Sequence, residues 1–268
     1  MTTVVRQVTS RHNDLFKDLR RLLAEPAAYR KLGRVWLEGD HLCRALLERG
    51  RVPLRAIVTE SAWARPALES LARGAPEVVC VPDALMRELS GLESPAPIGF
   101  LIEADTATAP QPGRDTVVLD RLQDPGNVGS ILRTASAMGF SQVVALKGSV
   151  ALWSPKVLRA GMGAHFGLAL VEGAAIEDVA ALGLPVVGTH LRDARWLHET
   201  ALLRPLAWVF GHEGQGMSEA VTAACALRVR IAQPGGEESL NVAAAAAMCL
   251  YESARQRSAA ALRARSDQ

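Results

Sequence analysis

Short apolar segments rich in β-branched residues alternate with helical segments along almost the whole chain, and this alternation most constrains the fold. In the first part of the chain, the segments that predict strands are residues 34–38, 54–59, 77–81 and 98–103. In the later part they are residues 116–119, 142–146, 168–171, 185–189, 207–210 and 228–231. Helical patterns lie between them, which predicts an α/β fold with a mostly parallel sheet.

One segment interrupts this alternation and predicts two domains. Residues 104–114, ADTATAPQPGR, contain proline and glycine but no long apolar run, which is typical of an interdomain linker. We therefore expect a smaller α/β domain at residues 1–103 and a larger one at residues 115–268. A length of 268 residues suits this division.

The composition excludes several classes of protein. Hydrophobic residues make up 49% and charged residues 22%, which argues against disorder. The four cysteines, at 43, 80, 225 and 249, form no CxxC pair, so we expect no zinc site and a reducing compartment. The start of the chain lacks the apolar core of a signal peptide, and residues 242–250 are too short to span a bilayer. We therefore expect a cytoplasmic protein that does not enter a membrane.

Positive charge is concentrated at the start of the chain. Residues 1–34 contain eight basic and three acidic residues, whereas residues 115–268 contain 14 of each. A basic face in front of a neutral domain suits docking to RNA. Alternatively, these basic residues only form the solvated surface of a helix.

The first of three unusual segments covers residues 119–133, where a predicted strand ends in a Pro-Gly turn and a helix follows. Asn127 and Arg133 lie on that helix, so both side chains can face a cleft at the carboxyl end of the sheet. Arginine supplies planar donors for a phosphate or an oxyanion. Alternatively, Asn127 caps the helix and Arg133 pairs with a surface carboxylate.

The second segment, residues 210–218, is a glycine-rich loop after another predicted strand. Gly211, Gly214 and Gly216 allow close approach of a ligand. Their GxxGxG spacing differs from the GxGxxG of dinucleotide-binding folds, and His212-Glu213 lacks the second histidine of a zinc HExxH motif. Glu213 either orients a ligand or bonds nearby amides of its own turn.

The third segment, residues 231–242, places Ser239 and Asn241 before an alanine-rich helix. Both residue types are good helix caps, which is the simplest interpretation of each. No pairing with histidine and aspartate makes Ser239 an obvious nucleophile.

Together and in this order, the three segments resemble the motifs of the SpoU, or TrmH-like, RNA ribose 2′-O-methyltransferases of the SPOUT superfamily. The matching stretches are DPGNVG with Arg133, GHEG with Gly216 and Ser218, and SLNV with a later Tyr251-Glu252. The resemblance covers about residues 115–255, and SRHN at residues 10–13 with Lys17 and Glu38-Gly39 resembles a ribosomal-protein-L30-like substrate-binding domain.

The chain departs from the family pattern at two places. Ile231 is followed by Ala232 where the family commonly has proline, so the proline is displaced to Pro234. Gly161 stands where serine is common. We expect these differences to affect loop shape and substrate detail.

The resemblance implies a C-terminal knotted (trefoil) methyltransferase domain behind an L30-like α/β domain, with S-adenosylmethionine as methyl donor and no metal. It also implies a homodimer whose interface forms part of each active site. The implied cofactor contacts, largely through backbone atoms, are Thr189, Gly211, Gly216, Ile231, Ser239 and Leu240.

The resemblance also implies catalytic roles. Arg133 acts as a base or, more conservatively, holds the adjacent phosphate and stabilises the alkoxide. Asn127 and Asn241 position the substrate and a loop, Glu213 anchors the loop or Arg133, and Ser239 lines the site.

The implied substrate is RNA. Ribosomal RNA, of the large subunit, is favoured over transfer RNA because the front domain resembles an RNA-binding ribosomal protein. The candidate RNA-binding residues are Arg20, Arg21, Arg30 and Lys31. The alternatives are a transfer RNA methyltransferase, a non-catalytic RNA-binding protein of the same fold, and a nucleotide-dependent oxidoreductase, against which the missing GxGxxG counts.

Overall fold

The computed structural model describes residues 3–90, 94–105, 109–202, 204–236 and 239–266, with side chains as far as residue 259. The described residues pack as two compact units. The first contains the residues up to Asp105 together with Trp153–Phe166, and the second contains the remainder.

Helices and strands alternate as the sequence predicts. In chain order, the elements as far as Glu103 are β1 (Val4–Gln7), α1 (Asp14–Ala24), α2 (Ala28–Leu32), β2 (Arg34–Glu38), α3 (Asp40–Glu48), β3 (Arg55–Thr59), α4 (Glu60–Trp63), α5 (Pro66–Ala72), β4 (Glu77–Val81), α6 (Asp83–Leu89) and β5 (Ile98–Glu103). The later elements are β6 (Thr116–Asp120), α7 (Pro125–Ala137), β7 (Gln142–Leu146), α8 (Pro155–Gly161), β8 (Ala169–Ala174), α9 (Ile176–Ala180), β9 (Val186–Thr189), β10 (Arg195–Trp196), β11 (Ala207–Gly211), α10 (Glu219–Ala224), β12 (Leu227–Arg230) and α11 (Val242–Ser266).

The first unit contains a mixed five-stranded sheet in the order β1-β4-β3-β5-β2. β5 runs antiparallel to β3 and β2, and the other neighbours are parallel. Helix α1 buries one face, formed by Leu15, Phe16, Leu19 and Leu22, which leaves its charged residues on the opposite side. β1 was not predicted because all four of its residues are exposed, so it lacks the apolar pattern of the other strands.

The second unit contains a seven-stranded sheet in the order β10-β12-β9-β11-β6-β7-β8. Every neighbouring pair is parallel, as expected for an α/β domain. Every residue of β6, β7 and β11 is buried, which explains their continuous apolar sequences. Strands β12, β9, β11 and β6 are successive neighbours in this parallel sheet, so the loops that follow them lie side by side at its carboxyl edge.

Some details of the helices and strands were not predicted. Asp124, and not Asn127, is the N-cap of helix α7, which begins at Pro125. Helix α11, the alanine-rich helix, begins at Val242 and continues to Ser266. Strand β10, of two residues, was not predicted because so short an element leaves no periodic signal.

The segment Trp153–Phe166 packs in the first unit, although it lies between two strands of the second unit's sheet. Helix α8 packs against β2, and Arg159 Nη1 lies 3.9 Å from Oε2 of Glu38. The two compact units are therefore not separated by a single cut in the sequence, and the domain boundaries at residues 1–103 and 115–268 stay predictions. Residues 106–108 of the predicted linker lie outside the described residues.

No helix within the described residues combines the length and the apolar character that a membrane span needs. The trefoil knot that the resemblance implies stays a prediction.

Candidate functional site

The turn after β6 is shaped by two aspartates. The side chain of Asp120 is buried, and its Oδ2 accepts a hydrogen bond of 2.6 Å from the backbone amide of Ser218. Asp124 Oδ1 accepts from the amide of Asn127 over 2.7 Å and so caps α7. Because Asp124 caps the helix, the side chain of Asn127 is left for other partners.

Glu213 joins the glycine-rich loop to the turn after β6. Its Oε1 accepts from the amide of Asp124 at 3.1 Å and from Nδ2 of Asn127 at 3.3 Å, and its Oε2 accepts from the amide of Gln123 at 3.3 Å. Burial by itself raises the pKa of Glu213, but hydrogen bonds from backbone amides and from Asn127 outweigh it and bring the pKa below its ordinary value. Glu213 is therefore a carboxylate at neutral pH.

Asn241 brings the third motif to the same cluster. Its Nδ2 donates to Oδ1 of Asn127 over 3.0 Å. Its Oδ1 accepts from the amides of Ala243 at 2.9 Å and Ala244 at 3.3 Å, so it also caps α11. The three motifs therefore meet through one hydrogen-bonded set, Glu213–Asn127–Asn241.

The glycine-rich loop folds back tightly on its strand. A Cβ atom at Gly211 would lie 2.3 Å from the carbonyl carbon of Gly216 and 2.3 Å from the amide nitrogen of Met217. Gly216 has a φ of +70°, and its amide donates to the carbonyl oxygen of His212 over 2.8 Å. Because these neighbours are backbone atoms that cannot rotate away, the turn excludes a side chain at Gly211.

A cleft of about 450 Å³ opens beside this loop at the carboxyl edge of the second unit's sheet. Its wall includes every residue predicted to contact a cofactor: Thr189, Gly211, Gly216, Ile231, Ser239 and Leu240. Glu213 also lines it. The volume falls within the range of about 300–1,000 Å³ that is typical of small-molecule sites.

Sequence reasoning missed part of the cleft wall. Arg192, Arg230 and Gln233 line it, and the guanidinium of Arg230 lies 3.7 Å from the ring centroid of Trp196. Arg230 lies within the predicted strand at residues 228–231, which gave no reason to expect its side chain in a site. Gln233 lies in the loop where the chain departs from the family pattern, and that departure was the available signal.

The side chain of Arg133 is not part of the hydrogen-bonded set. It is exposed on α7 and makes no hydrogen bond or ion pair with another described residue. The alternative that Arg133 pairs with a surface carboxylate therefore finds no partner in the described part of the chain, and Glu213 bonds the turn after β6 rather than Arg133. Ser239 is exposed at the cleft.

The four candidate RNA-binding residues lie on two helices of the first unit, Arg20 and Arg21 on α1 and Arg30 and Lys31 on α2. Arg21 pairs with Glu25, with Nε and Oε1 3.2 Å apart, and Arg30 lies over the ring of Tyr29. Arg20 and Lys31 are exposed and form no ion pair with a described residue. Among the residues described, no cluster of three or more His, Cys, Asp or Glu side chains is placed to hold a metal ion.

Comparisons with known proteins identify the family of the chain. The SpoU rRNA Methylase family matches residues 115–251. The chain is 32% identical to an uncharacterized tRNA/rRNA methyltransferase of Synechocystis, over 97% of each chain. It is 29% identical to the 23S rRNA (guanosine(2553)-2′-O)-methyltransferase of Bacillus subtilis, over 92% of this chain and 98% of that one.

A solved structure shares both units. The AdoMet-bound rRNA methyltransferase from Sinorhizobium meliloti aligns with a TM-score of 0.80 at 28% identity, over 94% of this chain and 98% of that one. The predicted family resemblance is therefore confirmed, and the chain belongs to the SpoU rRNA Methylase family.

Proposed function

We propose that this protein is an S-adenosylmethionine-dependent RNA 2′-O-ribose methyltransferase that acts on ribosomal RNA of the large subunit. The observation that carries the proposal is the Glu213–Asn127–Asn241 set beside a cleft lined by all six expected cofactor residues. The Bacillus relative, named for 23S rRNA, aligns along almost its whole length and so supports the choice of substrate. The cytoplasmic location expected from the sequence follows from that substrate and stays a prediction.

The cleft fits the proposed cofactor on two grounds. Its wall exposes the backbone of Gly216, where a Cβ would meet nothing within 4 Å, and this open space allows a ligand to approach closely. Its wall also carries guanidinium groups, of Arg192 and Arg230, that suit the carboxylate of the cofactor, and the carboxylate of Glu213, which suits the sulfonium. Thr189, Ile231 and Leu240 would hold the cofactor, which supplies an electrophilic methyl group on a sulfonium.

The ribose 2′-hydroxyl is a poor nucleophile until its proton leaves or the developing charge is stabilised. We assign that stabilisation to Arg133, whose exposed guanidinium has no competing carboxylate among the described residues. A guanidinium is protonated at neutral pH, so holding the adjacent phosphate and the developing alkoxide suits it better than acting as a base. Asn127 and Asn241 fix the edge of the site, and Glu213 fixes Asn127.

The proposal includes a homodimer. Helix α11 exposes Ala244, Met248 and Tyr251 at helical spacing, and Met248 and Tyr251 are 44% and 57% exposed. Large apolar side chains aligned on one helix face are typical of a surface that a partner covers. The small residues at the start of α11 permit a close approach of a second helix.

The test is methyl transfer from labelled S-adenosylmethionine to purified ribosomal RNA and to transfer RNA, followed by mapping of alkali-resistant 2′-O-methyl positions. We expect label at one position of the large-subunit RNA. Label in transfer RNA alone would support the alternative substrate. Tight RNA binding without calorimetric binding of S-adenosylmethionine would support the non-catalytic alternative.

A further inference from the structure

Arg121, the residue that directly follows β6, has a left-handed backbone. Its φ is +60°, a conformation that brings the Cβ atom of an ordinary residue too close to the following carbonyl oxygen. Glycine and asparagine adopt it at a lower cost in free energy. A larger residue keeps such a backbone only where surrounding contacts hold it, and such positions are concentrated at functional sites.

The side chain of Arg121 joins the end of β6 to the glycine-rich loop after β11. Its Nε donates to Oδ1 of the buried Asp120 over 3.1 Å. Its Nη1 donates to Oε1 of Gln215 over 3.2 Å, and its Nη2 donates to the carbonyl oxygen of Gly216 over 3.5 Å. Each nitrogen of the guanidinium is therefore bonded, one to the strand and two to the loop.

Neighbouring residues hold Arg121 in this position. Gly148, in the turn after β7, leaves open the space that Arg121 fills, because a Cβ atom at Gly148 would lie 3.4 Å from Cγ of Arg121. The carbonyl oxygen of Arg121 accepts from Nε2 of Gln123 over 3.1 Å, and the backbone amide of Gln123 donates to Glu213. Contacts to the main chain and to the side chain thus stabilise the unfavourable backbone.

The loop residues that Arg121 bonds line the cleft. Gln215 and Gly216 belong to the cleft wall, whereas Arg121 is not among its described residues. Gly216 has a φ of +70°, and glycine gives a loop access to many backbone conformations. Bonds that fix the carbonyl of Gly216 before the ligand arrives reduce the ordering that binding requires.

We propose that Arg121 is a positioning residue for methyl transfer, which holds the glycine-rich loop in the conformation that binds the cofactor. This inference rests on the proposed function. It gives a reason for an arginine at a left-handed position, because glycine or asparagine would relieve the backbone but would remove the guanidinium that bonds the loop.

The main variant is Arg121→Asn, which tolerates the left-handed backbone and lacks the guanidinium. In hydrogen exchange of the ligand-free, full-length protein, the amide of Gly216 should exchange about tenfold faster, whereas the amides of β7 should exchange as in the wild type. Calorimetry should show about tenfold weaker binding of S-adenosylhomocysteine, as expected for lost bonds from a charged donor. The KM for S-adenosylmethionine should rise by a similar factor, and kcat should stay within about threefold because Arg121 acts through the loop.

Two further variants separate positioning from general stability. Nη2 of Arg257 donates to the carbonyl oxygen of Met138 over 2.7 Å at the end of α7, so Arg257→Gln removes a comparable bond away from the cleft. This control should bind S-adenosylhomocysteine within about twofold of the wild type, even where its melting temperature is lower. Arg121→Lys keeps one charged donor without the planar fork and should bind about three- to tenfold more weakly than the wild type.

A folded Arg121→Asn protein with wild-type loop exchange and wild-type affinity would overturn the inference and leave the proposed function intact. An equal loss of affinity in Arg257→Gln would overturn it as well, since the effect would then reflect stability alone. If Arg121→Asn does not melt cooperatively, Arg121→Lys decides, and wild-type affinity in that variant rejects the positioning role. A wild type that does not bind S-adenosylhomocysteine at millimolar concentration would instead overturn the proposed function itself.

Discussion

Nδ2 of Asn241 donates a hydrogen bond of 3.0 Å to Oδ1 of Asn127, two residues that lie 114 positions apart in the chain. Asn127 lies in the first turn of α7, which follows β6, and Asn241 caps α11, which follows β12. The same Asn127 donates to Glu213. One side-chain amide therefore joins all three motifs, and the following predictions test what depends on it.

Replacing Asn127 with Asp should disrupt this set, because a carboxylate at that position cannot donate to Glu213 and places two negative charges side by side. We expect the free energy of unfolding to fall by about 1–3 kcal/mol and cofactor affinity to weaken. Urea denaturation and calorimetry measure the two effects. As a matched change, Asn13→Asp replaces another helix-flanking asparagine, the N-cap of α1, and should have little effect because aspartate caps helices equally well.

The depressed pKa of Glu213 predicts a pH dependence of stability. Because the folded-state pKa lies below the ordinary value, the contribution of Glu213 is present above that value and is lost as the pH falls through the folded-state pKa. Glu213 is partly exposed, so solvent screening should limit the contribution to about 1 kcal/mol or less.

The measurement is the difference in melting temperature between the wild type and Glu213→Gln from pH 7 to pH 3. The wild type should be the more stable protein at pH 7, and the difference should shrink in acid. A difference that grows as the pH falls would contradict the assignment.

Arg133→Ala should reduce methyl transfer by about 100-fold or more, because one charge-stabilising donor in a transition state has this effect. Cofactor affinity and melting temperature should change little, since Arg133 bonds no other described residue. Arg133→Lys should also be impaired, because an ammonium lacks the planar fork of donors. Single-turnover rates measure methyl transfer, and calorimetry measures cofactor affinity. A near-normal rate of methyl transfer by Arg133→Ala would show that Arg133 takes no part in the chemical step.

Gly211→Ala should destabilise the protein by about 1–3 kcal/mol and weaken cofactor binding, because the added Cβ overlaps backbone atoms of the same loop. Gly235 is the matched control, since a Cβ there meets nothing within 4 Å. Gly235→Ala should therefore melt close to the wild type. Equal melting temperatures for the two variants would show that the tight turn tolerates a side chain.

Tyr251→Glu should convert the proposed homodimer to a monomer and lower its activity, because a charge in an apolar interface is costly to bury. Val52 is 68% exposed in the first unit, so Val52→Glu is a control for adding a surface charge elsewhere. Light scattering and methyl-transfer rates provide the measurements. A wild type that is an active monomer at the assay concentration would refute the dimer.

The quadruple substitution of Arg20, Arg21, Arg30 and Lys31 by alanine should weaken RNA binding and flatten its dependence on salt, because phosphate contacts release counterions. Binding of S-adenosylmethionine should be unchanged. Filter binding at several salt concentrations is the measurement, and an unchanged salt slope would indicate a merely solvated surface.

Substitution in the full chain is a cleaner test than removing the first unit. Trp153–Phe166 packs within that unit, so a protein that starts near Arg114 would lose the partners of α8. Low activity of such a fragment would then reflect lost packing as well as lost RNA contacts.

The α/β class, the predicted strands and the order of the three motifs follow from the amino-acid sequence alone. Strand and helix preferences act over a few residues, so the strands β6, β7 and β11 can be recognised from their own apolar residues. Helix caps are equally local, since the side chains of Ser154 and Ser218 accept hydrogen bonds from amides only three residues later.

Which polar groups meet depends on the tertiary structure. Asp124 caps α7, which leaves Asn127 for Glu213 and Asn241, and these two partners lie 86 and 114 positions away in the chain. The partners of Glu213 lie about ninety residues earlier in the chain, and they meet because β11 pairs with β6. The placement of Arg230 and Gln233 on the cleft wall likewise follows from strand order, because hydrogen-bond pairing between distant strands fixes which loops become neighbours.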